Sequence, residues 1–263
     1  DFCLSRGLGD VYKRQVIWPE SAVTALEPYA QDVLNTMEQS ASVNDSALIT
    51  GIIDYDRLND AFYNSVIVLD DDTYQYGGEN RYQKHHLLPI GEFVPFEDIL
   101  RPIAPLFNLP MSSFSRGGYQ QPNLEANNRK LSMAICYEIA FPQQVRDNTF
   151  EDTDFLVTIS NDTWFGDSHG PWQHMQISRM RALELQRPLL RATNNGVTAI
   201  VDEFGQFIEK APQFKAATVS AELYPVNGDT WYKRFGLWGA FILALLGLLP
   251  AGLTKARNKR SQA

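Results

Sequence analysis

Nineteen consecutive residues near the end of the chain, Phe235 to Leu253, carry no charge and no strongly polar side chain. As a helix rising 1.5 Å per residue, they would cover about 28 Å, close to the ~30 Å hydrocarbon core of a bilayer. Trp231, Tyr232 and Trp238 cluster at one end, and small Gly and Ala positions recur within the run, as in membrane helices. The competing reading is a helix buried in a protein core. The run predicts one C-terminal transmembrane helix over 235–253 and a basic tail over 254–263. Lys255, Arg257, Lys259 and Arg260 follow the span while only Lys233 and Arg234 precede it. That bias predicts a cytoplasmic tail, with residues 1–232 on the outer side of the membrane.

Charge separates the body from this tail. The formal charge is -8, from 23 basic and 31 acidic residues among 263. Six of the basic residues lie in 233–263, which holds no Asp or Glu, so the remaining 17 face all 31 acids and the body carries -14. A body this acidic argues against a nucleic-acid partner, which needs clustered Lys and Arg. With 44% hydrophobic and 21% charged residues, the body can bury a core. Residues 1–15 show neither strand alternation, nor a helical stripe, nor the apolar stretch of a signal peptide, and are set apart from the domain. They hold Cys3, which leaves Cys136 unpaired and no disulfide framework.

Along the body, apolar runs alternate with helical patterns. Val16–Trp18 reads as the end of a strand, 22–40 as a helix, and Ala47–Tyr55 and Phe62–Leu69 as strands joined by a polar turn. Pro89, Pro95, Pro102, Pro105, Pro110 and Pro122 make 77–128 mostly loop, with a short helix near Glu97–Ile103. Leu131–Cys136 and Phe155–Ser160 read as buried strands, with a helix after Pro142 and another over 171–187. Strands follow at Leu189–Thr193, Val197–Asp202 and Ala217–Glu222. Strands alternating with helices predict a layered α/β domain.

Cys136 ends an apolar strand and is followed by Tyr137-Glu138. A lone cysteine in a strand is most often a small buried hydrophobe. At a strand-to-loop corner it is also where a nucleophile faces a pocket, with the next backbone N–H free to meet an oxyanion. The four histidines, His85, His86, His169 and His174, match neither a Cys–His protease signature nor a zinc site, so neither metal nor cofactor is expected. A carboxylate base with a nearby lysine is the other way to activate a thiol. Glu20, after Trp18-Pro19, and Lys84, in Tyr82-Gln-Lys-His-His-Leu-Leu-Pro-Ile-Gly-Glu-Phe-Val-Pro95, offer that pair, although either alone would more often be a solvated surface group.

Trp-Pro-Glu, then Lys-x-His-Leu-x-Pro-x-Gly-Glu, then Cys-Tyr-Glu, in that order, resembles the nitrilase superfamily of carbon–nitrogen hydrolases. The resemblance implies an αββα sandwich and puts the catalytic Glu, Lys and Cys on Glu20, Lys84 and Cys136. Longer stretches, among them Met111–Gly117, Ile159–Gly166, Gly170-Pro-Trp-Gln-His174 and Arg179–Leu185, are similar to its apolipoprotein N-acyltransferase branch. The resemblance covers about residues 16–253. It implies a bacterial inner-membrane enzyme with its catalytic domain, 16–232, on the periplasmic side. Its donor would be a phospholipid and its acceptor the N-terminal diacylglyceryl-cysteine of an apolipoprotein, with a thioester on Cys136 between them. Tyr137 N–H would join Lys84 at the oxyanion, Glu92 and Glu138 would position groups and shape the local field, Asn64 and Trp164 would line the pocket, and Arg101 would serve the Pro-rich loop.

Apolar residues in 91–122, including Phe93, Phe107 and Phe114, either cap the core or form a lipid-contacting lid. The branch carries more chain before Trp18-Pro19-Glu20, so one sheet is expected to lack a strand and the chain to be poorly active alone. Two other functions compete: a soluble-type amidase or nitrilase, and a catalytically dead, membrane-tethered binding module. Convergence of Glu20, Lys84 and Cys136 separates the last of these from the enzymes.

Overall fold

The long apolar runs decide the layering. In the computed structural model, which describes residues 2–4, 14–70, 74–93 and 114–248, strands β4 (Ser46–Asp56) and β5 (Ala61–Leu69) pair antiparallel from Leu48↔Leu69 to Asp56↔Ala61. Around them assemble β1 (Phe2–Leu4), β2 (Arg14–Ile17), β3 (Val23–Leu26), β6 (Arg81–Gln83) and β13 (Thr218–Val219). The sheet order is β13-β1-β2-β4-β5-β6, with β3 also on β4. The second sheet runs β12-β11-β10-β9-β8-β7, from β7 (Leu124–Ala126), β8 (Arg129–Ile135), β9 (Phe155–Asn161), β10 (Leu189–Asn194), β11 (Ala199–Val201) and β12 (Phe207–Lys210). Its central strands β8, β9 and β10 are parallel.

Successive side chains of a strand point to opposite faces, so each central strand feeds two cores. Ile49, Val66 and Val68 of the first sheet meet Leu131, Met133, Ile135, Val157 and Ile159 of the second in one buried cluster. Their neighbours Leu48, Ile67 and Leu69 turn outward onto Leu34 of helix α1 (Gln31–Val43). On the far side, Ala134, Leu156 and Val201 pack against Val145 of α2 (Pro142–Asp147) and Met175, Ala182 and Leu185 of α3 (Gly170–Leu185). The result is the expected helix–sheet–sheet–helix sandwich. Burying a Leu or Ile in it is worth roughly 1.5–3 kcal/mol.

The structure departs from the sequence reading in several places. The helix expected over 22–40 is a strand, a 3-10 turn at Glu27–Tyr29 and then α1. Val23 and Leu26 find backbone partners beside Ile52 and Ile53 of β4, and Pro28 starts the new turn. Strand β7 falls in the stretch read as mostly loop, β12 falls where no element was expected, and the strand over 217–222 shrinks to Thr218–Val219. Within the segment set apart above, Phe2–Leu4 form β1 and Arg14 and Gln15 begin β2.

The apolar run is helical over 238–248 after α4 (Trp231–Phe235) and a break at Gly236, whose φ is 54°. Trp238, Phe241, Leu243 and Leu248 on it are exposed. Among the described residues no helix is long and apolar enough to cross a membrane; the rest of the run lies outside them. The short helix near Glu97–Ile103 and most of the Pro-rich loop also lie outside.

One glycine sets the spacing between β4 and the chain beyond β2. A Cβ on Gly51 would lie 2.6 Å from the Ser21 nitrogen, 2.8 Å from the Pro19 oxygen and 2.9 Å from the Glu20 Cα, all backbone atoms that cannot swing aside. Gly51→Ala is therefore expected to cost about 1–3 kcal/mol in a urea titration. An unchanged midpoint would show that the turn at Glu20 yields freely.

Candidate active site

Three chain segments converge at one end of the sandwich. Glu20 lies in the turn after β2, where Ser21 has a positive φ of 53°. Lys84 follows β6, its backbone N–H donating to the Asn64 carbonyl of β5 at 2.8 Å. Cys136 follows β8 and opens a 3-10 turn over Cys136–Ala140. Its φ of 52° is strained for a non-glycine residue.

The Lys84 side chain is 1% exposed, and its ammonium sits among carboxylates. Nζ lies 2.9 and 2.8 Å from the two oxygens of Glu92 and 3.5 Å from Glu20 Oε1. Burial works against the charge, but Glu20 and Glu92, with a smaller contribution from Cys136, outweigh it and hold the ammonium above its ordinary pKa. Asn64 Nδ2 bridges the carboxylates, donating to Glu20 Oε1 at 2.7 Å and to Glu92 Oε1 at 2.8 Å. Glu20 Oε2 accepts the Asn161 N–H at 2.7 Å, and Asn194 Nδ2 donates to the Glu20 carbonyl at 3.1 Å. Glu92 Oε2 accepts the Leu88 N–H at 2.7 Å.

Glu20 and Lys84 both act on the Cys136 thiol. Burial and the Glu20 charge push it up to about 11, while Lys84 and a hydrogen bond from Ser160 pull the other way. At neutral pH on the order of one such thiol in 10⁴ is ionised. The Cys136 thiol is therefore neutral at physiological pH.

Glu138 is fully buried and works through backbone. Oε1 accepts the N–H groups of His85 at 2.8 Å and His86 at 3.1 Å, with Gln144 Nε2 at 3.2 Å; Oε2 accepts Tyr82 Oη–H and Ile135 N–H, each at 2.9 Å. One carboxylate thus staples the Lys84 segment to the strand end that carries Cys136. Gly117 completes the clamp: its N–H donates to the Lys84 carbonyl at 2.9 Å, and a Cβ there would fall 2.2 Å from the Gln83 oxygen.

Of the residues singled out from sequence, Glu20, Lys84, Glu92 and Asn64 are joined directly by hydrogen bonds and ion pairs, and the Cys136 thiol lies within reach of the Glu20 and Lys84 charges. Glu138 joins them through its hydrogen bonds, whose donors are other than Glu20, Lys84 and Cys136. Tyr137 is half-exposed and meets Phe141 edge-on at 4.9 Å, while Phe141 stacks on His86 at 3.9 Å. Trp164 stands 80% exposed on the turn Asp162–Phe165. Arg101 lies outside the described residues.

Sequence reasoning overlooked Asn161, Asn194 and a buried group behind Cys136. Asp162 Oδ1 meets His174 Nδ1 at 3.0 Å, Asp162 Oδ2 accepts from Arg191 at 2.9 Å, and His174 Nε2 reaches the Cys136 carbonyl at 3.0 Å. Burial works against the Asp162 charge, but His174, Arg191 and Ser160 outweigh it and hold the carboxyl down at about 2. An arginine in the middle of the apolar strand Leu189–Asn194 was the available signal, since a buried charge requires a partner.

The sequence of the carbon–nitrogen hydrolase family matches residues 14–233. The chain belongs to that family. It is 51% identical over 239 residues to the apolipoprotein N-acyltransferase of Vibrio parahaemolyticus, covering 90% of this chain and 47% of that protein. With the enzyme of the same name from Shewanella oneidensis it shares 53% identity over 252 residues, covering 93% and 48%. The chain thus spans about half the length of the curated relatives it matches. Among solved structures, the NitFhit protein of C. elegans superposes with a TM-score of 0.56 at 18% identity, covering 76% of this chain and 50% of that one, a likeness of fold.

The charges on the thiol give a pH test. Alkylation of Cys136 by a haloacetamide should rise with pH toward a midpoint near 11. Glu20→Gln removes a charge that raises the thiol and should move the midpoint down; Lys84→Met removes one that lowers it and should move it up. A midpoint that ignores both substitutions would mean that the three groups do not interact.

Proposed function

We propose that the chain is the catalytic part of an apolipoprotein N-acyltransferase, with Glu20, Lys84 and Cys136 as its catalytic triad. What supports the reading is the buried Glu20–Lys84 pair, whose charges reach the Cys136 thiol, in a chain about half identical to enzymes of that name. Glu20 takes the thiol proton as sulfur attacks the ester carbonyl of a phospholipid. The oxyanion that forms is met by the Lys84 ammonium and the N–H of Tyr137, which lies in the first turn of a 3-10 helix where N–H groups lack acceptors within the helix. Collapse breaks the ester C–O bond, the leaving alkoxide takes the proton back from Glu20, and the acyl group stays on Cys136 as a thioester.

The α-amino group of a diacylglyceryl-cysteine then attacks the thioester. Glu20 accepts the amine proton, the amide forms, and sulfur leaves and is reprotonated. Glu92 and Asn64 keep Glu20 and Lys84 in register, so that one carboxylate acts as base while the ammonium remains charged. Trp164, exposed on its turn, and Arg101 with the Pro-rich loop would contact lipid.

Residues 16–232 are read as the catalytic domain, 235–253 as a membrane span and 254–263 as a cytoplasmic tail. The support is the exposed apolar helix at 238–248 and the basic residues after it. The domain would then face the periplasm at the inner membrane.

Incubating the protein with phospholipid and recording its intact mass should reveal an acyl-sized adduct that maps to Cys136. Cys136→Ala should abolish it and Cys3→Ala should leave it in place. Absence of the adduct, with small amides hydrolysed instead, would favour an amidase.

A further inference from the structure

The Arg191–Asp162–His174 group has no part in the chemistry above, yet it ends on the main chain of the nucleophile. Its members are buried, and each comes from a different element of the second sheet layer: Asp162 from the turn after β9, His174 from the first turns of α3, Arg191 from the middle of β10. Ser178 adds a lateral tie, accepting from Arg191 at 3.2 Å and donating to the His174 carbonyl at 2.9 Å.

Geometry assigns the imidazole proton. The partner of Nε2 is the Cys136 carbonyl, which can only accept, so Nε2 carries hydrogen. Nδ1 faces both Asp162 Oδ1 and an Arg191 Nη2 donor, each at 3.0 Å. A neutral ring accepts there from Arg191, and a charged ring donates there to Asp162. In both states Nε2–H remains on the carbonyl, so the hold on Cys136 is independent of the ring's charge.

What is held is costly to hold. Cys136 has a φ of 52°, a conformation that costs a side-chain-bearing residue free energy unless its surroundings over-determine it. Relaxing it would swing the Cα–Cβ bond and carry the sulfur away from Glu20 and Lys84.

We propose that His174, locked by Asp162 and Arg191, is a positioning residue for the nucleophile: its Nε2–H pins the Cys136 carbonyl and so keeps the thiol aimed at Glu20 and Lys84. The proposal rests on the reading of Cys136 as the acylated nucleophile.

Substitutions that differ only in reach test it. His174→Gln can set an amide N–H near the place of Nε2, whereas His174→Asn sets one near Nδ1 and falls short of the carbonyl; His174→Leu removes both. The readout is the single-turnover rate of acyl adduct formation on Cys136 as phospholipid is raised to saturation. His174→Gln should stay within about threefold of the parent, while His174→Asn and His174→Leu should fall at least about tenfold at saturation, with the half-saturating phospholipid concentration unchanged. Equal rates in the Gln and Asn variants, or a loss seen as a raised half-saturating concentration, would overturn the proposal. Should His174→Leu fail to fold, the Gln and Asn pair still decides. Should the parent form no acyl adduct, the N-acyltransferase reading fails first. Cys136 alkylation at fixed pH in the same variants then judges positioning separately: a faster Gln than Asn variant supports it, and equal rates overturn it.

Discussion

A buried ammonium is the constraint around which the site is built. Lys84 is almost fully removed from water, and an unpaired charge there would cost several kcal/mol. Glu20 and Glu92 supply the compensation, and Asn64 donates to both so that two carboxylates can share one cation. Three distant segments must therefore meet, and the close approaches elsewhere serve that meeting: bare backbone contact at Gly51 and Gly117, and Glu138 satisfying five donors at once. Breaking such a buried pair by removing one partner typically costs on the order of 3–5 kcal/mol.

The same charges set the state of the Cys136 thiol. A thiol raised to about 11 is neutral at physiological pH and so resists oxidation and stray alkylation; under the proposed mechanism it reacts only when Glu20 takes its proton. Each of the segments that carry the site holds a residue with positive φ: Ser21 beside Glu20, Ile90 two residues before Glu92, and Cys136 itself. Ile90 is held by its N–H to the Phe93 carbonyl at 2.7 Å, which turns the chain so that Glu92 points back at Lys84. Strained residues persist where the surrounding structure over-determines them, and here each sits next to a charged or nucleophilic side chain.

Much of this was legible in the sequence. β4, β5, β8 and β9 announce themselves as apolar runs because both their faces are buried, and α3 is bounded by Pro171 and Pro188. Glu20, Lys84 and Cys136 emerged from ordered motifs. The hairpin from β7 to β8 was hidden because its strand is three residues long, although Asn127 and Asn128, both with positive φ, are the residues such a turn selects. β12 is mostly exposed and lacks alternation. The first turn of the expected 22–40 helix was lost to strand pairing with β4, a tertiary effect that local pattern cannot register. His174 was overlooked because its partners are a carboxylate twelve residues away and a main-chain carbonyl thirty-eight residues away.

Under the proposed mechanism Lys84 faces the oxyanion of an acyl group carried by Cys136. Trapping the acyl-enzyme with a phospholipid donor and solving its crystal structure tests this most directly. The expected result is a thioester on Cys136 Sγ with its carbonyl oxygen within about 3 Å of Lys84 Nζ and Glu20 beside the sulfur. An acyl group on another residue, or a thioester carbonyl turned away from Lys84, would contradict it.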